Sequence, residues 1–181
     1  GKLKEAELAT SKAIELNPNY AIAHSNLGWI LQELGKLKEA ELATRKAIKL
    51  NPDYPDAHSN LGVILKNLGK LKEAEFSILK AIELNPDFGA AYFSLSTFKY
   101  CNQNKSWKDK LFSADFLDNK ETKDQIDIYF ARANILHNEK KYEESSRNLK
   151  LANELKLNPK KSQFNYRINK SKIFLFETYK K

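Results

Sequence analysis

The residues that could do chemistry are few. His24 and His58 could hold a metal ion, Cys101 could act as a nucleophile, and Lys38 with Glu39 and Glu41 could exchange protons. Metal ligands must converge to about 2.1 Å from one ion. His24 and His58 instead occupy the same place in two copies of one phrase, 34 residues apart, which is the separation of neighbouring structural units. Both are therefore expected to pack. A reactive thiolate needs a neighbour that lowers its pKa, and the sequence around Cys101 offers none, so Cys101 reads as structural. Being the single cysteine, it also excludes an internal disulfide. The Lys and Glu pairs read as solvated helix faces. Gly62 and Gly69-Lys70 are too far apart for a phosphate loop, and Leu71 stands where Ser or Thr would ligate magnesium. HExxH, CxxC and GxSxG do not occur. Catalytic, cofactor-binding and metal-ligating residues are expected to be absent.

Residue types suited to recognition are more plentiful. Asn26 and Asn60 recur at 34 residues, and an amide side chain both donates and accepts hydrogen bonds, which suits an extended peptide backbone. The candidates for partner binding are Ser25, Asn26, Trp29, Gln32 and Glu33, then Ser59, Asn60, Val63, Lys66 and Asn67. A competing role is open: both asparagines could cap or bridge neighbouring helices. Trp29 is either an anchor for a partner or covered by the preceding repeat. Ser94 stands where a third asparagine would be, so the ladder has two rungs.

Positioning these residues requires the element that repeats. "GKLKEAE" appears at 1–7, 35–41 and 69–75, "HSNLG" at 24–28 and 58–62, and Asn-Pro at 17–18, 51–52 and 85–86, all stepping by 34. A fixed period of that size marks stacked supersecondary units. Within 21–54, Leu27, Ile30, Leu31 and Leu34 fall at helical spacing, as do Leu37, Ala40, Ala43, Ala47, Ile48 and Leu50. Gly35 separates the two runs where one helix must end, and Asn51 before Pro52 closes the second, because the residue before proline is pushed out of the helical region. Each unit reads as a helical hairpin. Gly28, Gly62, Ala40, Ala47, Ala74 and Ala81 are small where two helices must approach closely. The first helices of stacked hairpins line an inner, concave face, where the candidates above would lie.

This pattern resembles the tetratricopeptide repeat family. Leu27, Gly28, Leu31, Gly35, Leu37, Ala40, Ala47 and Pro52 match it, as do Leu61, Gly62, Leu65, Gly69, Leu71, Ala74, Ala81 and Pro86, with His24 and His58 where the family usually has Trp. The resemblance implies an all-α solenoid of antiparallel hairpins wound into a right-handed superhelix. Residues 1–88 form its regular part: the second helix of a truncated repeat, then full repeats at 21–54 and 55–88. Residues 89–125 read as a divergent third repeat and a connection, in which Tyr92 and Leu95 are in place but Ser96 replaces a glycine; Trp107, Leu111, Ala114, Phe116 and Leu117 give the connection an apolar face. Residues 126–159 recover the form through Tyr129, Ala133, Leu136, Tyr142, Ala152 and Pro159, with Arg132, Lys140 and Ser145 where Leu, Gly and Ala are expected. Residues 160–181 read as a basic terminal helix leading to a further domain.

The "SNLG" wording is similar to repeats of the O-linked N-acetylglucosamine transferase family, which implies a polypeptide held by the asparagine ladder. Residues 89–175 look like the region that joins tetratricopeptide repeats to a sulfotransferase domain in bacterial, particularly marine cyanobacterial, proteins. That implies a substrate-selecting arm whose catalytic domain, with its loop for the 5′-phosphosulfate cofactor, lies outside this chain.

Charge separates the two halves. Residues 1–88 carry 12 basic and 12 acidic side chains, whereas 89–181 carry 19 and 11, the whole net charge of +8. The basic part is either a solvated helix and linker or a surface for an anionic partner. Nucleic acid is the weakest reading, because the lysines follow no groove-reading motif. No apolar run approaches the roughly 20 residues that span a bilayer, so a cytoplasmic location is expected. The chain starts at Gly1, inside a repeat, and contains no methionine, so it reads as a piece of a longer protein. The first reading is a non-catalytic scaffold that binds a polypeptide in its concave groove.

Overall fold

A computed structural model describes residues 1–98 and 106–157. Cys101 and the expected helix at 160–181 lie outside the described residues. Among those described there are nine helices and no strand, and none of the helices is long and apolar enough to cross a membrane. The chain divides into two compact units between residues 103 and 104, within the stretch read from sequence as one divergent repeat and connection.

In the first unit α1 (Lys2–Leu16) precedes two hairpins, α2 (Ala21–Glu33) with α3 (Leu37–Leu50) and α4 (Pro55–Asn67) with α5 (Leu71–Leu84), followed by α6 (Gly89–Ser96). Each new first helix packs on both helices of the hairpin before it: α4 meets α2 and α3, and α6 meets α4 and α5. The core is correspondingly a series of local clusters. Leu31 and Ala40 of one hairpin enclose Ile64 of the next, while Leu61, Leu65 and Ala74 pack with Ile48 and Phe98.

The sequence signature explains these bounds. Gly35 and Gly69 both take φ of 76°, a left-handed conformation that costs a residue with a Cβ about 1–2 kcal/mol. At that turn the Lys36 N–H donates to the Leu31 carbonyl at 2.8 Å and the Gly35 N–H to the Gln32 carbonyl at 2.9 Å, satisfying carbonyls that the helix end leaves open. Lys70 and Gly69 repeat both bonds onto Leu65 and Lys66. At the Asn-Pro ends the backbone turns extended, and the side-chain oxygens of Asn17, Asn51 and Asn85 accept the N–H groups of Asn19, Asp53 and Asp87 at 3.2, 3.3 and 3.0 Å. Asparagine is thus chosen for its short acceptor, which closes a local turn.

The small residues allow the hairpins to close. A Cβ added at Gly28 would lie 2.0 Å from Thr44 Oγ1, and one at Gly62 would lie 2.3 Å from Ile78 Cγ1. Ala40, Ala47, Ala74 and Ala81 are fully buried.

His24 is buried, as its spacing predicts, and His58 is half-buried; both tie repeats together. Their Nε2–H groups donate to the carbonyls of Pro18 and Pro52 at 2.9 and 2.8 Å. Tyr92 occupies the same place one period later and donates its hydroxyl to the Pro86 carbonyl at 3.1 Å. Burial raises the Tyr92 pKa to about 12, so this donor keeps its proton.

The second unit holds α7 (Ser106–Phe112), α8 (Thr122–Asn138) and α9 (Tyr142–Leu157). Helices α8 and α9 form a hairpin and α7 packs on α8. Of the residues expected to give the connection an apolar face, Trp107, Leu111, Phe116 and Leu117 are buried, whereas Ala114 is exposed.

Candidate functional site

The expected binding residues all sit on α2 and α4, which lie side by side with α6 along one row of first helices. Packing divides them. Ser25 is 1% exposed and Ser59 is also buried, so neither side chain lies on an open surface. Asn60 is partly buried and donates its Nδ2 amide to Ser25 Oγ at 3.1 Å, which makes it a strut between consecutive hairpins. Asn26, Trp29, Glu33 and Asn67 are exposed. Gln32, Val63 and Lys66 are intermediate; Gln32 donates to Glu33 at 3.4 Å, and Lys66 Nζ donates to Thr97 Oγ1 at 2.5 Å with its charge 5.3 Å from the Phe98 ring.

Trp29 is 48% exposed and is not covered by the preceding helix. Two further apolar side chains stand open on the same row, Ile22 at 44% and Phe93 at 37%. Residues 22, 29 and 93 take the second, ninth and fifth places of the first helix, which fall within one helical stripe at spacings of three and four. Ile22 and Phe93 fall outside the expected candidates, which run from Ser25 and Ser59 along the two "HSNLG" helices: Ile22 precedes that phrase and Phe93 stands in the divergent repeat, with Asp56 and Ser59 in their places in the middle repeat. The usable signal was variation at a fixed repeat position, not repetition.

The second helices carry a different device. Lys36 Nζ meets Glu7 Oε1 at 2.7 Å, and Lys70 Nζ meets Glu41 Oε2 at 2.8 Å. Each pair joins the lysine of one "GKLKEAE" copy to the last glutamate of the copy before. Arg45 adds bonds to Glu41 at 2.8 Å and to Glu73 at 3.0 Å. Hydrogen bonding from Lys70, then from Arg45, holds the Glu41 carboxyl below its ordinary pKa despite some burial. The expectation that these charges simply face water is thus corrected for Glu41; Lys38 and Glu39 are exposed.

No group of three or more His, Cys, Asp or Glu residues among the described residues is arranged to hold a metal ion. Asp127 of α8 is raised above the usual carboxylate range by burial, with Lys123 opposing.

Models of the tetratricopeptide repeat match residues 9–41, 30–69, 55–88 and 126–159. No curated protein matches the sequence. Among solved structures, the first TPR of Spaghetti (RPAP3) bound to the HSP90 peptide SRMEEVD is 29% identical with a TM-score of 0.50, over 52% of this chain and 75% of that one. YrrB, a TPR protein with an unusual peptide-binding site, is 21% identical with a TM-score of 0.55, over 90% of this chain and 92% of that one. A mutant O-GlcNAc transferase of Thermobaculum terrenum is 21% identical with a TM-score of 0.53, over 76% of this chain but 23% of that one. The 34-residue period, the glycine contacts that close the α2–α3 and α4–α5 hairpins and these likenesses agree, and the chain is built from tetratricopeptide repeats over residues 9–88 and 126–159.

Proposed function

We propose that this chain is a non-catalytic interaction scaffold that binds an extended polypeptide along the α2, α4 and α6 row. The observation that carries this reading is the set of exposed apolar side chains there, Ile22, Trp29 and Phe93, on first helices whose other apolar residues are buried or half-buried. A half-exposed tryptophan next to amides and mixed charges has the makeup of a recognition anchor. In this reading Trp29 takes an apolar side chain of the partner, Asn26 pairs with its backbone, and Glu33, Lys66 and Asn67 select among flanking residues. Asn60 contributes mainly by holding Ser25 and the spacing of the row. The peptide bound to the 29%-identical TPR domain of RPAP3 supports a polypeptide ligand.

The test is selection of peptides on the immobilised chain from a phage-displayed library, followed by affinity measurement on variants. Trp29→Ala should weaken the selected peptides by about tenfold or more and Asn26→Ala by less, as expected where a few anchors dominate, with the helical circular dichroism unchanged. Peptides that bind both variants as well as the parent chain would remove the reading.

The resemblance of residues 89–175 to the sulfotransferase-joining region motivates a second reading, in which the same row selects the substrate of a sulfotransferase domain encoded after Lys181. Reading the coding sequence past that residue tests it, and a stop codon there discards it.

A further inference from the structure

Between α3 and α5, above α4, the repeats leave a recess of about 560 Å³. Its apolar lining comes from Leu61 and Leu65 of α4, Ile48 of α3 and Phe76 of α5. Phe76 is 73% exposed, so a large ring stands open at the edge of the recess and does not fill it. The charged lining is unequal. Arg45 and Glu73 bridge the recess at 3.0 Å and largely neutralise each other. Lys49 and Lys72 also line it, and neither has an ion-pair partner among the described residues.

The preceding groove, between α1 and α3, has the same floor with a different rim. Leu27 and Leu31 correspond to Leu61 and Leu65, but 34 residues before Arg45, Lys49 and Phe76 stand Ser11, Glu15 and Leu42. A wall with a free cation on each side and an aromatic ring at its edge therefore occurs in the α3–α5 groove and not in its neighbour.

We infer that this recess docks a short acidic peptide segment, one bulky apolar side chain entering beside Phe76 while flanking carboxylates meet Lys49 and Lys72. Burying the ring edge and the floor supplies the apolar part of the attraction. The two lysines supply sign and register, since unlike charges placed across an interface select the partner more than they tighten it. A flat anionic membrane fits less well, because the same second helices expose Glu39 and Glu83, which a broad surface would press against its own charge. This site uses the second helices and stands independently of the row of first helices.

A phage-displayed nonapeptide library selected on the Trp29→Ala chain probes the recess with the other candidate surface weakened. The expected outcome is a pool with an aromatic or large aliphatic residue flanked by acids. Synthetic members should lose about tenfold or more in affinity on a K49E/K72E double variant and also on Phe76→Ala, and bind more weakly as salt rises. Three results overturn the inference: an unenriched pool, a pool that binds K49E/K72E as well as the parent, or phosphatidylserine vesicles that bind through Lys49 and Lys72 and are not displaced by the peptides. Circular dichroism on each variant separates lost binding from lost folding.

Discussion

The hairpins α4–α5 and α8–α9 reach one backbone geometry with different residues. In the first, Gly62 lets α5 approach, Ala74 is fully buried against it, and Gly69 makes the turn. In the second, the corresponding residues are Ala133, Ser145 and Lys140. Yet the turn bonds are the same: the N–H groups of Lys141 and Lys140 donate to the Leu136 and His137 carbonyls, both at 2.9 Å. Lys140 adopts φ of 62° to make them. Ser145 is buried where alanine was expected, and its hydroxyl donates to the Ala133 carbonyl at 2.9 Å, so the added polar atom is satisfied. Arg132 stands where Leu27 and Leu61 do, and donates to the Leu111 and Ser113 carbonyls at 2.7 and 3.1 Å, tying the end of α7 to α8. The backbone requires the turn and the close approach; the residues set only their cost.

The largest expected effect is at the close approach. Gly62→Ala would place a Cβ 2.3 Å from Ile78 Cγ1 and 3.1 Å from the Ala74 carbonyl, an overpacking that should cost about 1–3 kcal/mol. Its counterpart Ala133→Gly creates no clash and should cost about 1 kcal/mol through helix propensity alone. Urea midpoints of the two variants make the comparison, and a harmless Gly62→Ala would show that the hairpins do not differ in the way described.

A smaller effect of opposite sign is expected at the turn. Lys140→Gly removes the left-handed strain of a side-chain-bearing residue and should stabilise α8–α9 by about 1 kcal/mol. Amide hydrogen exchange along α8 and α9 would register it as slower exchange, and unchanged rates would mean that Lys140 is not strained.

The smallest effect concerns acid. Glu41 is held below its ordinary pKa chiefly by the Lys70 hydrogen bond and Glu139 chiefly by Lys108. A carboxylate with a depressed folded-state pKa contributes stability above its unfolded pKa and loses it as pH falls through the folded one. Each pair keeps its lysine partly exposed and should therefore contribute under about 1 kcal/mol at neutral pH, lost below the ordinary glutamate range. Glu41→Gln should flatten that acid limb in a pH series of chemical denaturation, and a limb of unaltered slope would refute a stabilising Lys70–Glu41 bond.

Much of the fold was legible because its information is local. The period, the Asn-Pro ends, the glycine turns and the packing role of His24 and His58 each follow from residues within one repeat. The division near residue 103 was harder to read, since Trp107, Leu111, Phe116 and Leu117 announce burial without announcing which helix they pack on. The candidate site was legible in part. Asn26 and Trp29 stand exposed, but the burial of Ser25 and Ser59 and the Asn60 bond to Ser25 depend on contacts 35 residues apart. Such contacts exist once hairpins stack, and no spacing within a repeat reveals them.

The phrase "GKLKEAE" divides the two kinds of information. Its glycine, leucine and alanine specify a turn and a helix that must close on a partner, for reasons of backbone sterics and side-chain volume that any copy carries alone. Its lysine and final glutamate look like solvated charges within one copy. They become a ladder, Lys36 on Glu7 and Lys70 on Glu41, when stacking brings the end of one copy beside the start of the next. The recess beside Phe76 has the same origin. Its floor belongs to one hairpin and its rim to two, so its shape and its free lysines come into being at the junction between repeats.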